Sequence, residues 1–284
     1  MSSQPSRRGS PEAPDPLPIA VVDNHTHLDI SRDDTVVAVE DLGPVLREGA
    51  AVGVDRVVQV GCDLPGARFA VDAAERYAGV VAGVALHPNE VPGLAASGEL
   101  DAAYAEIERL AGHPRVRVVG ETGLDYYRTG PEGVPAQQDS FRWHIDLAKR
   151  LDKALQVHDR DSHDDVLRVL AEEGAPDRTV LHCFSGGPEM ARVCVERGYH
   201  LSFSGTVTFK SAKTLRDALS VTPLELLLVE TDAPYLTPHP WRGATNSPAL
   251  VPLTVRAMAA VLGVAVPTLC QALSENAERL YGPW

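Results

Sequence analysis

The chain has no apolar run of the roughly 18 residues that a bilayer-spanning helix needs, and its first residues carry no apolar stretch of the kind found in a secretory leader. It is accordingly expected to work in the cytoplasm, without a membrane partner. Cysteine is scarce and unpatterned. Cys62, Cys183, Cys194 and Cys270 form no C-x-x-C spacing, which argues against a zinc ribbon or a disulfide framework and leaves four small thiols with no disulfide partner. Positive charge is in deficit, with 26 Lys and Arg against 39 Asp and Glu and a formal net charge of −13. So acidic a body repels polyanions, and a nucleic-acid substrate would need bound cations and local basic loops. A repeat of 20 to 50 residues is also missing, which argues against a solenoid.

What is present suits one large domain. At 284 residues and 44% hydrophobic, the chain matches an α/β barrel of about 250 residues. Residues 1–18 are rich in Ser and Pro and contribute no net charge, so they are expected to form a disordered tail. From residue 19 to 284, with no internal linker, short β-branched runs alternate with helical patterns. Strands are expected at 19–24, 54–60, 80–86, 115–120, 154–158, 178–183, 199–204 and 225–230. Helices are expected near 40–51, 65–77, 99–111, 137–152, 162–173, 188–197, 211–220 and 249–262, with a terminal helix near 268–280. Eight such units favour a TIM-type (β/α)8 barrel over an open sheet.

In such a barrel the active site gathers where the strands finish. His25 and His27 close the first strand and, two residues apart, share one face of it. Further along, the strand ends carry His87, Glu121, His158, His182 and Asp232. Imidazoles and carboxylates are the usual ligands of a catalytic divalent metal. Singly, each has a plainer explanation: paired histidines in a hydrogen bond, Glu121 capping a loop, Asp232 as an N-cap before Pro234, and His87 as a loop histidine before Pro88. Their joint occurrence at the ends of the first, third, fourth, fifth, sixth and eighth strands points to a metal site.

The segments DNHTHLD (23–29), GVALHP (83–88), GETGLDYY (120–127), HDRDSHDD (158–165), HCFSGG (182–187), ETDAPYL (230–236) and RGATNSP (242–248) resemble the TatD family of metal-dependent deoxyribonucleases, in the family's order and from about residue 21 to the C-terminus. The resemblance implies a TIM barrel with two divalent ions (Mg2+, Mn2+ or Zn2+). One would be held by His25, His27 and Asp232, the other by His158 and His182, with Glu121 bridging them. It also implies that Asp232 and Glu121 are catalytic, Asp232 accepting a proton from water. The strand RVRVVGE offers no lysine for the carboxylated-lysine bridge of general amidohydrolases. Departures are modest: Thr122, Ala154 and Ala244 stand where the family often has an aliphatic residue, a proline and a lysine.

Around the ligands, Glu230 is two residues before Asp232 and is read either as orienting a ligand or as a buried paired residue. His163 lies near the fifth strand as a possible phosphate contact, whereas His113, His144, His200 and His239 are read as surface or structural. Arg128, Arg160, Lys210 and Arg242 supply loop cations, with Arg160 and Arg242 inside matched segments. Tyr126, Tyr127 and Tyr235 are read as packing residues, with stacking on a base as the alternative. The family resemblance implies 3′ to 5′ exonucleolytic hydrolysis of DNA, expected on single-stranded or frayed 3′ ends and by a monomer. Two alternatives stay open: a small-molecule ester, amide or lactone hydrolase on the same barrel, and a low-turnover metal-stabilised binding or quality-control partner.

Overall fold

A computed structural model describes residues 11–33 and 35–284. Eight strands form one parallel sheet in the order of the sequence: β1 (Val21–Thr26), β2 (Val54–Gly61), β3 (Val80–Val84), β4 (Val116–Asp125), β5 (Ala154–Arg160), β6 (Thr179–Leu181), β7 (His200–Phe203) and β8 (Leu227–Val229). The sheet closes on itself just beyond β8. His25 O accepts the Asp232 N–H at 3.0 Å, Ala233 O accepts the His27 N–H at 2.8 Å, and Thr26 bridges Ala233 in parallel. This is the expected TIM barrel, and three of its closing residues, His25, His27 and Asp232, are also candidate ligands.

Valine dominates because every strand is buried on both faces. Val22, Val58, Val60, Val81, Val118, Val180 and Leu228 fill the barrel's lower interior together with Leu280 and Tyr281 from the C-terminal helix. The opposite strand faces pack against the helical ring: α1 (Gly43–Ala51), α2 (Leu64–Arg76), α3 (Val91–Ser97), α4 (Leu100–Ala111), α5 (Val134–Arg150), α6 (His163–Glu173), α7 (Pro188–Glu196), α8 (Lys213–Val221), α9 (Val251–Leu262) and α10 (Val266–Tyr281). Among the described residues no single helix is long and apolar enough to cross a membrane.

Three expectations need correction. The fourth strand does not stop at Gly120. It runs on to Asp125 beside β5, with Asp125 opposite Arg160, so Glu121 lies inside the strand rather than after it. Helix α3 was not expected, although Pro92 in its first turn and Gly98, left-handed at φ 76°, are ordinary start and stop signals. The expected disordered tail is too long. Residues 1–10 lie outside the described residues, but Leu17 is only 7% exposed and its N–H donates to Val52 O at 2.9 Å. Arg256 adds hydrogen bonds to Asp15 O at 2.7 Å and Pro16 O at 3.1 Å. Leu17 is the one large aliphatic residue there, and Gly53, at φ 85°, leaves it room: a Cβ at 53 would lie 3.1 Å from the Leu17 Cβ.

Candidate metal centre

Inward-facing side chains from β1, β4, β5, the end of β6 and the turn after β8 converge above the valine layer. The structure brings together His25, His27, Glu121, His158, His182 and Asp232. Glu121 is central and 4% exposed. Its Oε2 faces His25 Nε2 at 3.5 Å and His27 Nε2 at 3.8 Å, while Oε1 faces His158 Nδ1 at 2.6 Å and His182 Nε2 at 2.7 Å. Reaching β5 so closely depends on glycines either side of it. A Cβ at Gly120 would sit 2.7 Å from the Gln156 Cβ, and one at Gly123, whose φ is 139°, would sit 2.1 Å from His158 O.

Each of four imidazoles has a partner behind it that sets its tautomer. His25 Nδ1 donates to Gln156 Oε1 at 2.9 Å, His27 Nδ1 to Val60 O at 2.9 Å, His182 Nδ1 to Glu230 Oε1 at 3.3 Å, and His158 Nε2 to Asp125 Oδ2 at 3.3 Å. The nitrogens left as lone pairs are those that face the centre. His25 Nε2 and His27 Nε2 lie 3.1 Å apart. Two lone pairs at that distance would repel, so without an ion one nitrogen must carry a proton. His27 is the one suited to it, because burial, which would lower its pKa, is outweighed by Cys62 and Asp232, which hold it well above the usual value. Burial, and then the nearby His182 ring, hold His25 below its usual pKa, which disfavours a proton there. A divalent cation shared with Asp232 and Glu121 would satisfy both nitrogens, so the donor set fits a metal.

The carboxylates match this requirement. Burial would raise the Glu121 pKa, but His182, His87 and His158 outweigh it and hold the group well below the usual carboxylate range. Asp232 Oδ1 lies 3.5 Å from His27 Nε2. Its backbone is left-handed at φ 53°, a sparsely populated conformation for a non-glycine residue. Asp23 holds that turn, accepting from the Thr231 N–H at 2.8 Å and the Thr231 hydroxyl at 2.6 Å.

His87 differs from the other four. Its Nδ1 accepts the Asn89 N–H at 3.1 Å, so Nε2 carries the proton and points it toward Glu121 Oε1 at 3.5 Å. It is set to donate rather than to ligate. Glu230, fully buried, stands behind His182. The open cleft above has two lobes, of about 350 and 310 Å3, that share Glu121, His158, Arg160 and Asp232. Arg160 thus reaches both lobes, and its guanidinium lies 3.9 Å over the Tyr127 ring. Two expected contacts are not brought to the cleft. His163 pairs with Asp159 at 2.7 Å, and Arg242 lies 4.4 Å over the Phe209 ring, neither lining a lobe.

Several residues escaped the sequence reading. Gln156 and Asp125 orient ligands, and Cys62 lines the cleft. Burial pushes the Cys62 thiol up to about 12, so it meets Glu121 Oε2, 3.4 Å away, as an S–H donor. Cys62 and Gln156 carried a signal: one closes the second strand, and the other interrupts an apolar strand two residues before His158. Tyr281 carried none. It reaches up from α10, and its hydroxyl accepts from Gln156 Nε2 at 3.1 Å and donates to Asn24 Oδ1.

Known proteins resemble this chain in sequence and fold. The family model described as "TatD related DNase" matches residues 22–282. A Mycobacterium tuberculosis relative, described as the uncharacterized metal-dependent hydrolase TatD, is 49% identical over 269 residues, covering 92% of this chain and 98% of its own length. The Escherichia coli K12 hydrolase YcfH, also described as uncharacterized, is 40% identical over 262 residues, with 92% and 95% covered. Among solved structures, the TatD homologue YJJV of E. coli superposes with a TM-score of 0.81 at 27% identity, covering 92% of this chain and 97% of that one. The match over nearly the whole barrel, with relatives called metal-dependent hydrolases, makes this chain a member of the TatD family of metal-dependent hydrolases.

Proposed function

We propose that the protein hydrolyses DNA phosphodiester bonds with two divalent cations, as a monomeric 3′ to 5′ exonuclease acting in the cytoplasm on single-stranded or frayed ends. The observation that carries this reading is Glu121, whose two oxygens face separate histidine sets. A carboxylate so placed is suited to bridge two positions, with His25, His27 and Asp232 on one side and His158 and His182 on the other. Bound cations there would lower the pKa of water and offset charge on the attacking and leaving oxygens of a phosphodiester. The family model's description supports DNA as the substrate.

The chain's own groups divide the remaining work. Asp232 lines both lobes, and its neighbours His27, His25 and His182 outweigh the effect of burial to keep it ionised, ready to take a proton from water. His87 presents its Nε2 proton to an oxygen of the phosphate. Arg160, between the lobes and without an ion pair among the described residues, suits the strand's own charge. Single-stranded and duplex oligonucleotides labelled at either end, incubated with Mg2+, Mn2+ or Zn2+, test the proposal. Stepwise release of mononucleotides from the 3′ end is expected. No metal-dependent cleavage, together with turnover of a small ester, amide or lactone, would move the site to a small-molecule hydrolase.

A further inference from the structure

Three large hydrophobic residues are exposed among the described residues: Val36 at 79%, Tyr127 at 65% and Tyr235 at 40%. All three follow strands that deliver ligands, β1, β4 and β8, and Tyr235 lines the cleft itself. Isolated exposed apolar groups are ordinary, but Tyr127 stacks on Arg160, which lines both lobes. Tyr127 is the most constrained of them. Its neighbour Tyr126 is tied down, donating to Asp165 Oδ2 at 2.7 Å and accepting from Gln138 Nε2 at 2.8 Å. One face of the Tyr127 ring carries the Arg160 guanidinium at 3.9 Å.

Asp125 couples Tyr127 to the centre. Its Oδ1 accepts the backbone N–H of Tyr127 at 3.0 Å and of Arg128 at 2.9 Å, while Oδ2 accepts from His158 Nε2 at 3.3 Å and Asn89 Nδ2 at 3.0 Å. One buried carboxylate therefore holds both a candidate ligand and the backbone under the aromatic ring. A stacked arginine keeps its N–H edge free for a phosphate oxygen. An exposed tyrosine ring can take a base of any identity, because every base has a π face.

We propose that Tyr127 and Arg160 form a nucleotide subsite. The base of a single-stranded end stacks on the tyrosine, the arginine edge holds the adjoining phosphate, and Asp125 ties the tyrosine's backbone to the candidate ligand His158. This rests on the DNA reading above. It adds that the strand is gripped through an unpaired base, which a base buried in a duplex cannot offer.

The test measures binding of a hydrolysis-resistant, phosphorothioate-linked single strand, with either a normal or an abasic 3′-terminal nucleotide, to the metal-loaded parent protein, Tyr127→Ala and Tyr127→Trp. Metal content and melting temperature are recorded for each to confirm that the centre and fold are intact. The parent should prefer the base-bearing strand about tenfold, the factor equal to about 1.4 kcal/mol of stacking. Tyr127→Ala should lose that preference by weakening only the base-bearing strand, and Tyr127→Trp should keep it. An unchanged preference in Tyr127→Ala, or none in the parent, overturns the subsite while leaving DNA hydrolysis standing. A parent that neither binds nor cuts any oligonucleotide overturns both.

Discussion

Replacing Glu121 by Gln keeps the size of the side chain and removes its charge. In the structure one oxygen of this carboxylate faces two ligand nitrogens, at 2.6 and 2.7 Å, and the other faces two more at 3.5 and 3.8 Å. Whichever way the amide turns, its NH2 group must point at one ligand set, and neither oxygen position retains a full negative charge. A contact to a charged group is worth about 1.5–3 kcal/mol, so losing two of them amounts to about 3–6 kcal/mol, or roughly 10²- to 10⁴-fold in metal affinity. Elemental analysis after dialysis at a fixed low concentration of free metal reads this directly, with circular dichroism to confirm the fold. The barrel should survive, because its valine core lies below the centre. A variant that holds the parent's metal complement and turns substrate over at the parent rate would remove Glu121 from the site.

Asp232→Asn should lower kcat by about 10²- to 10⁴-fold with a smaller change in KM; full recovery on adding metal would mean that the residue is only a ligand. Tyr281→Phe and Gln156→Leu should each weaken metal binding, Gln156→Leu by about 10- to 100-fold because His25 then loses the acceptor that sets its tautomer; titration calorimetry checks this. His144 donates from Nδ1 to Ser140 O and accepts the Leu86 N–H, and burial lowers its pKa to about 4. The unfolded chain takes up this proton below about pH 6.5 while the folded chain resists it. Stability should therefore be fully present above pH 6.5 and fall by about 3 kcal/mol as pH drops to 4; denaturant melts across that window should show a smaller slope in His144→Gln. Leu17→Ala should cost about 2–3 kcal/mol of stability through lost burial, seen as a lower melting temperature, and an unchanged melt would mean that the segment docks without contributing.

The periodic features were the legible ones. Eight β-branched runs separated by helical patterns carried the barrel, because a parallel strand buried on both faces has to be apolar throughout. His25-x-His27 and the strand-end rule pointed to the ligand set, since β geometry fixes which face each residue shares. Glu121 was assigned to the right neighbourhood but the wrong side of the strand end: β4 continues through it because Gly120 and Gly123 let the backbone press against β5. What sets the tautomers was mostly hidden. Asp125, Gln156 and Tyr281 act through contacts across the barrel, Tyr281 and Asn24 being 257 residues apart. Leu17 was likewise read from the composition around it rather than from the gap over Gly53 that receives it.

The central claim is that Glu121 bridges two cations. Crystals grown with Mn2+ and measured at its absorption edge test it most directly. The account predicts two anomalous peaks about 3.5–4 Å apart, one against His25, His27 and Asp232, the other against His158 and His182, with a Glu121 oxygen on each. A single peak, or two peaks that Glu121 does not join, would contradict it.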